Sequence, residues 1–540
     1  MKLNNSVYIL AFLGLSITSC KAQTPMITTN IANIDKTPIK VTAMKEADLK
    51  RWSHLDFKKD TVPGMSVDKA YKEILKNKKS VKVIVGIVDS GVDIEHEDLK
   101  SVIWTNKKEI AGNGIDDDKN GFIDDIHGWN FLGKITKENL EYERIIKNKN
   151  LVDETTYNVA KSQYDKKVEQ ATQNKGRMEQ MVTGVTDADA TIAKHLGKSI
   201  YTADEVNAID SKDSEIIKSK TIIQRMLGFG LSIPELKKEI QKQLDGANEL
   251  LSGESLKKNY RLVVGDNPDD LTDVKYGDSK VMGPEASKDG IKHGTHVAGI
   301  VAQVRQNNKG GDGIANNVEI LTVRAVPDGD EYDKDIALGI RYAVDNGAKV
   351  INGSFGKNYS PHKQWVYDAI KYAASKDVLI VHAAGNDSKD IDIENNFPND
   401  SDDKKTEFSD NLITIGALNF EMGSKIVANF SNYGKINVDV FAPGVQIYAS
   451  TPNNTYEYLQ GTSMASPNVA GVAALIRSYY PKLSAVQVKH ILMDSGTQIN
   501  SDVIVGGNPK DIRKFSELSV SGRIVNAYNA LIMAEKMSKK

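Results

Sequence analysis

Three short blocks of the sequence carry an acid, a base and a hydroxyl nucleophile. Asp89 ends an apolar run, His293 opens the block HGTHVAG, and Ser463 lies in the block GTSMASP. A serine hydroxyl is a weak nucleophile at neutral pH, so it needs a base in contact with it, and the base needs an acid that fixes its tautomer. Taken alone, the blocks would be a turn, a metal-binding or surface histidine pair, and a helix cap. Together they predict a catalytic triad.

The blocks resemble the signatures of the subtilisin family, in which the triad occurs in the chain order Asp, His, Ser. The resemblance covers residues 81–133 and 281–535. It implies a secreted serine endopeptidase that hydrolyses proteins or peptides through an acyl-enzyme on Ser463. In this scheme His293 acts first as base and then as acid.

A fourth block, His382-Ala-Ala-Gly-Asn386, follows a predicted buried strand and resembles the family's oxyanion-hole segment. The resemblance implies that the Asn386 amide and the Ser463 backbone N–H stabilise the tetrahedral intermediate. The alternative is that Asn386 caps a turn. A competing function is a non-hydrolytic envelope protein that uses the fold for binding. Degenerate relatives normally lose a triad residue or the oxyanion asparagine, and this chain keeps all four.

The block that ends in Ser354-Phe355-Gly356 resembles the strand edge that pairs with extended substrate in the family. Such an edge binds through backbone hydrogen bonds that ignore side-chain identity. Ser354, Phe355 and Gly356 are therefore the candidate substrate-binding residues. Phe355 would stand near the specificity pocket or would belong to the core. The acidic stretch Asp387–Glu394 would favour basic substrate residues nearby.

The segment 113–125 fits the first half of a calcium loop, in which alternate oxygens point inward and a glycine permits the tight turn. Its twelfth position is His127 instead of a bidentate glutamate, so it is not an EF-hand. Relatives of the resembled family often carry calcium, and we expect a structural Ca²⁺ here. The alternative is an Asn-Gly turn with solvated acids. The candidate ligands are Asp116, Asp118, Asn120, the backbone carbonyl of Phe122, and Asp124 or Asp125.

Two other residues have weaker metal hypotheses. Asp98 is a candidate for a second calcium site of the family type. His296 lies one turn beyond the predicted base, where we expect a packed residue. The remaining histidines have no spacing typical of a zinc site, which argues against a metalloprotease.

Runs rich in β-branched residues alternate with helical patterns in the part that carries the motifs. This alternation predicts an α/β fold: a doubly wound, mostly parallel sheet with helices on both faces, built from residues 61–134 and 281–535. The predicted strands are 81–88, 318–326, 348–352, 378–385, 412–418 and 438–441. The predicted helices are 67–76, 293–306, 333–346, 362–376, 463–477 and 485–494.

Residues 135–280 have a different composition, rich in Lys, Glu, Gln and Asp, with apolar residues at helical spacing. Capping boxes at Thr202–Glu205 and Ser232–Glu235 predict helix starts. We therefore predict a largely helical insertion between the Asp and His blocks. Because those blocks must meet in the resembled fold, the insertion must return near its own start. Gating the cleft, binding a partner and adding stability all remain open as its role.

The amino terminus predicts export. Residues 1–20 combine a basic start, the apolar run Val7–Ile17 and small residues before Cys20. This pattern is typical of a signal peptide, and its end resembles a bacterial lipobox, in which the cysteine receives a diacylglycerol. We expect a lipid-anchored protein of the bacterial cell envelope. The alternative is cleavage after Ala22 or Gln23 and free secretion.

Composition narrows the remaining choices. Cys20 is the single cysteine, so an intramolecular disulfide is excluded. The formal net charge of −2 gives no support for a nucleic-acid partner. Residues 21–60 are an N-terminal tail. Only residues 24–80 are available for a folding propeptide, and the stretch just before Asp89 resembles part of the catalytic domain, so we do not expect processing of a conventional propeptide. The oligomeric state is not determined by the sequence.

Overall fold

The computed structural model describes residue 35 and residues 42–228, 232–284 and 289–539. The predicted signal peptide, Cys20 and most of the predicted tail lie outside the described residues. Among the described helices, none combines the length and apolar character needed to cross a membrane.

The bounds of the regular elements follow the predicted ones closely in the catalytic part. The strands are β1 Val83–Asp89, β2 Gly128–Asn130, β3 Val318–Arg324, β4 Val350–Gly353, β5 Leu379–Ala383, β6 Leu412–Leu418, β7 Val440–Pro443, β8 Ile447–Thr451, β9 Thr455–Leu459, β10 Thr497–Gln498, β11 Asp502–Val505, β12 Asn508–Lys514 and β13 Arg523–Ile524. The helices are α1 Glu46–Leu49, α2 Phe57–Asp60, α3 Val67–Ala70, α4 Glu141–Lys147, α5 Glu154–Leu196, α6 Ala203–Asn207, α7 Ser214–Leu227, α8 Ile233–Leu251, α9 Lys292–Ala302, α10 Asp333–Asp345, α11 Lys363–Ser375, α12 Thr462–Tyr479, α13 Ala485–Asp494 and α14 Ala527–Ser538.

Nine strands form the central sheet in the order β10-β13-β7-β6-β5-β4-β1-β3-β2. All neighbours are parallel except β10 and β13. The strand β1 lies between β3 and β4, so the chain connections diverge there, and such a switch point opens a crevice at the carboxyl ends of the strands. The predicted α/β fold with a mostly parallel sheet is confirmed.

Two apolar cores cover the two faces of the sheet. Val85 and Ile87 of β1 belong to the core that includes α9 and α12, and Val88 belongs to the core that includes α10 and α11. Both faces of β1 are therefore buried, which explains its unbroken apolar run. Because β1 is packed on both faces, its carboxyl end fixes the position of Asp89, its last residue.

Three differences from the predicted elements have local causes. The helix predicted over 293–306 ends at Ala302, where Gln303 takes an extended conformation. The helix predicted over 67–76 is α helical only as far as Ala70 and continues as a π-helical turn. Trp52 and Phe57 are buried in the main core, so that core begins before the predicted boundary at residue 61.

The segment 135–280 contains α4–α8, and α5 alone is 43 residues long. Both capping boxes are formed, at Thr202 and at Ser232. The far half of α5 packs with α7 and α8 around a small apolar core of its own. The segment returns to its start through paired backbone hydrogen bonds between Asn130 and Asp278.

Candidate active site

The predicted acid and base meet at the carboxyl end of β1. His293 Nδ1 lies 2.7 Å from Asp89 Oδ1. The two segments can approach because Gly294 has no side chain: a Cβ there would lie 2.2 Å from the carbonyl oxygen of Gly91. Burial favours the neutral imidazole, but the charge and hydrogen bond of Asp89 outweigh it and raise the pKa of His293 above its usual value.

The contact with Asp89 also fixes the histidine tautomer. Asp89 is fully buried and also accepts a 2.7 Å hydrogen bond from its neighbour's amide, Ser90 N. A carboxylate held in this way places the imidazole proton on Nδ1 and leaves the lone pair on Nε2. The remaining imidazole nitrogen is therefore available to accept a proton.

Ser463 lies in the first turn of α12, next to the helix N-terminus. Its Oγ donates to the carbonyl oxygen of Ser354 at 3.3 Å. The Ser354 side chain is buried beneath it and donates to the Ser463 carbonyl oxygen at 2.9 Å. Ser354 thus holds the first turn of α12 through hydrogen bonds to Ser463. Among the described residues, no hydrogen bond joins Ser463 to His293.

The Asn386 amide is oriented by Thr462. Both the backbone N–H and the hydroxyl of Thr462 donate to Asn386 Oδ1, at 2.8 and 3.0 Å. The Nδ2 donor is thereby left for another acceptor. Gly461, with φ of 150°, lies beside it, and a Cβ there would lie 3.5 Å from both Asn386 Nδ2 and Ser463 N. Both donors therefore lie near one point beside Gly461, where the positive φ and not a lack of space favours glycine.

The sequence that forms this sheet and this site matches a known protein family. The sequence profile of the Subtilase family matches residues 80–507. The chain belongs to the subtilase family. It is a serine-type endopeptidase.

Several characterised proteins are similar to this subtilase. Subtilisin DY of Bacillus licheniformis is 38% identical over 240 residues, which cover 44% of this chain and 82% of that protein. The thermophilic serine proteinase of Bacillus sp. strain AK1 is 43% identical over 187 residues, or 34% of this chain and 42% of that protein. Among solved structures, a protease of Pseudoalteromonas arctica PAMC 21717 aligns with a TM-score of 0.37 and 32% identity over 45% of this chain and 70% of that one.

A cavity of about 420 Å³ opens beside Ser463 in this subtilase. Phe355, Gly356 and Asn386 line it on the side of the sheet. Buried His382, which sequence analysis did not single out, donates from Nε2 to the Phe355 carbonyl oxygen at 2.8 Å. Burial lowers the pKa of His382 to about 4, so it is neutral at physiological pH and acts as a fixed hydrogen-bond donor.

The acidic loop is built differently from the predicted ligand set. Asp116 and Asp118 do approach each other, but the third carboxylate of the group is Glu109, with ligand oxygens within 4.8 Å of one another. Asp124 instead accepts backbone N–H groups of residues 112–114. Its φ of 54° turns the chain, which directs its carboxylate to these amides.

The other predicted ligands of this loop also have protein partners. Asn120 Oδ1 accepts the Phe122 backbone N–H at 2.8 Å, and Asn120 Nδ2 donates to Asp125 Oδ2 at 3.0 Å. The Phe122 ring, which is not the predicted ligand group, packs against Trp129 and Tyr342, with centroids 5.0 and 4.8 Å away. The Tyr342 hydroxyl donates to Asp125 as well. Asp125 therefore anchors the loop to α10.

The remaining two metal hypotheses gain no support from the described residues. The Asp98 carboxylate accepts a hydrogen bond from Asn307 and has no group of further carboxylate or histidine ligands around it. His296 is fully buried, its Nε2 lies 3.1 Å from the Glu457 carbonyl oxygen, and burial lowers its pKa to about 3. It is a packed residue, as expected.

Proposed function

We propose that this subtilase cleaves peptide bonds through an acyl-enzyme on Ser463, with His293 as general base and then acid. The observation that carries the proposal is the 2.7 Å contact between Asp89 Oδ1 and His293 Nδ1. His293 also lines one opening together with Met464, the residue that follows Ser463 in α12. Hydrogen bonds of catalytic serines are often completed only when substrate is bound. The present partner of Ser463 Oγ, at 3.3 Å, is a long hydrogen bond that substrate binding can replace.

The proposed reaction has two steps. Ser463 Oγ attacks the scissile carbonyl carbon while His293 Nε2 takes its proton, and Asp89 stabilises the imidazolium. The oxyanion accepts hydrogen bonds from Asn386 Nδ2 and Ser463 N, a donor arrangement worth several kcal/mol of transition-state stabilisation. His293 then protonates the leaving amine, and a water repeats the sequence to release the acid.

Hydrolysis of an unfolded protein substrate by purified wild type and Ser463→Ala tests the proposal. We expect cleavage by wild type and none by the variant, because the hydroxyl is the attacking group. Ser252→Ala, an exposed serine in the insertion, is the control and should keep full activity. Equal activity of Ser463→Ala and wild type would contradict the proposal.

We further propose that Glu109, Asp116 and Asp118 hold a structural Ca²⁺. Three carboxylates are the hard oxygen ligands that this ion prefers, and two of them belong to the predicted loop. A bound ion stabilises the fold by about 2.7 kcal/mol at a hundredfold excess over its Kd. Chelation should therefore lower the Tm of wild type but not that of Asp118→Ala. An equal effect of chelator on both proteins would exclude this site.

For the amino terminus, we propose lipidation of Cys20 and attachment to the bacterial cell envelope. The apolar run and the lipobox-like end of the first 20 residues support it. Mass spectrometry of the mature N-terminus should show a diacylglycerol on Cys20, and Cys20→Ala should release the protein. An unmodified N-terminus after Ala22 or Gln23 would instead indicate free secretion.

A further inference from the structure

The cavity beside Ser463 has a second wall that comes from the insertion. Leu140, Tyr142, Gln163 and Lys167 line it opposite the sheet edge. These residues lie in and just before α4 and in the first four turns of α5. The insertion is thus part of the site rather than a remote appendage.

The insertion wall is fixed to the loop that carries the substrate-binding edge. The Tyr359 hydroxyl donates to Gln163 Oε1 at 2.8 Å, and Tyr359 shares an apolar cluster with Tyr142. Buried Lys357 donates to Glu141 Oε2 at 2.7 Å. Because hydrogen bonds and a buried charge pair join the two parts, the first turns of α5 are held beside the cavity.

Most charges at the cavity already have partners. Lys357 is matched by Glu141 and by Asp333 at 2.9 Å. The Asp330 carboxylate accepts a 2.6 Å hydrogen bond from the Glu141 backbone N–H. Asp387, at the cavity edge, lies 3.7 Å from Lys389. With Arg144, which pairs with Glu141 at 2.5 Å, these groups comprise three cations and four carboxylates, and none of the three cations is left without a carboxylate partner.

Lys167 is the exception. It is exposed and makes no ion pair or hydrogen bond with any residue in the described part of the chain. It also lines an adjoining groove whose other charged residues are three lysines and one carboxylate, Lys166, Lys389, Lys404 and Glu394. The cavity therefore opens towards a lysine-rich groove, to which the insertion contributes Lys166 and Lys167 and the catalytic part contributes Lys389 and Lys404.

The acids of Asp387–Glu394, which predicted a preference for basic residues, are largely occupied elsewhere. Asp390 pairs with Arg513 at 3.5 Å, and Asp392 accepts the backbone N–H groups of residues 436 and 437. Asp387 has Lys389 as its partner. The structure therefore does not favour a preference for basic substrate residues at this cavity.

We infer that the cavity takes the side chain of the residue preceding the scissile bond, and that Lys167 makes it select an acidic side chain, glutamate above all. The inference rests on the proposed function, because the cavity adjoins Ser463 and Asn386, where the acyl group would form. A carboxylate in this cavity finds two donors on the insertion wall: Gln163 Nε2, since Tyr359 occupies only the Oε1 of that amide, and the ammonium of Lys167.

Two peptides that carry either Glu or Gln before the scissile bond differ only in the charge of that side chain. The measurement is kcat/KM for each peptide at pH 8. Wild type should cleave the Glu peptide about two- to fivefold faster, the scale of an exposed ion pair. Lys167→Gln should bring the ratio to about one, and Lys167→Glu should reverse it. The preference should also weaken with added salt, since exposed charges are screened.

Lys175→Gln is the matched control. Lys175 lies on the same helix, 8 residues further along, is half-exposed and pairs with Glu179 at 3.9 Å. This substitution should leave the Glu/Gln ratio unchanged. A wild-type ratio of one or below, or a ratio that Lys167→Gln does not alter, would overturn the inference while leaving the proposed function intact. Failure of the folded protein to cleave either peptide or any unfolded protein would instead overturn the proposed function, and the inference with it.

Discussion

The sheet edge and the insertion contribute to the same site in different ways. At the carboxyl ends of the strands, Asp89 ends β1, Asn386 follows β5 and Ser463 lies in the first turn of α12. These elements are buried, and each of the three side chains makes further hydrogen bonds. The insertion contributes exposed side chains of α5, whose position depends on a few contacts at its root. In our account, the buried elements of the catalytic part position the groups that react. The exposed side chains of α5, which belong to the insertion, determine which substrate side chain is preferred.

The insertion is itself divided into a root and an arm. Its root shares an apolar cluster with the catalytic part through Tyr359, and a second buried charge group joins Arg261 to Asp335 at 2.7 Å. The distal arm has its own apolar core around Ile192, Ile223 and Ile240. We therefore expect the root to affect the site and the arm to affect it little.

The largest expected effect concerns the triad as one unit. Ser463→Ala and His293→Ala should each reduce kcat by about 10⁶, a scale known from subtilisin itself. The double variant should be no slower than either single variant, because the two side chains act in one proton transfer. Steady-state kinetics of the three variants measures this. If the losses in kcat of the two single variants added up in the double variant, the residues would act independently, which would contradict a single proton-transfer unit.

The second-largest effect should come from removing the charge of Asp89, which contacts His293. Asp89→Asn should reduce kcat by about 10⁴, because the imidazole loses the partner that fixes its tautomer. Protonated His293 cannot act as a base, so kcat/KM falls as the pH decreases through its pKa. Asp89 raises this pKa, and its removal should move the acid limb to lower pH. A pH–rate profile measures the shift.

Asp93→Asn is the control for this shift. Asp93 is also buried near the start of the loop after β1, but among the described residues its carboxylate accepts only the backbone N–H groups of residues 95 and 453. We expect it to leave the midpoint of the acid limb in place. An acid limb at the same pH in wild type and Asp89→Asn would show that His293 does not set it.

Third in size is the loss of the oxyanion donor. Asn386→Ala should reduce kcat by about 10²–10³ with KM nearly unchanged, the scale measured for this donor in a subtilisin. Thr462→Val removes only one of the two hydrogen bonds that orient the amide. It should cost about tenfold or less in kcat. A larger loss for Thr462→Val than for Asn386→Ala would contradict the assigned roles.

The smallest effect should come from removing the arm. The cavity-lining residues of the insertion end at Lys167. Replacing residues 177–249 by a short Gly/Ser linker removes the distal core and keeps the root. We expect kcat/KM to change less than twofold and the Glu/Gln preference to persist. Loss of the preference with unchanged cleavage of the Gln peptide would show that the arm positions α5.

The sequence predicted the catalytic part well because its signals are local. The apolar run of β1, the small-residue helix after Ser463 and the capping boxes each depend on neighbouring residues alone. A two-stranded hairpin over β8 and β9 was missed, although Asn453 and Asn454, at its turn with φ of 67° and 58°, are residues that such turns prefer. That signal was available.

The missed site residues required the tertiary fold. Nothing near Lys167 or Gln163 distinguishes them from other polar residues on a long exposed helix, and only the docking of the root brings them to the cavity. Glu109 joins the acidic loop from outside the predicted motif, while Asp124, inside it, turns to backbone amides. Spacing along the chain identifies residue types suited to a site but does not establish which way each carboxylate points.

Labelling with a serine-directed phosphonate, followed by peptide mapping, tests the central claim most directly. The account predicts one adduct in the folded wild-type protein, on Ser463, and a labelling rate that falls by orders of magnitude in His293→Ala. An adduct on a different residue, or equal labelling rates in wild type and His293→Ala, would contradict activation of Ser463 by the histidine that Asp89 holds.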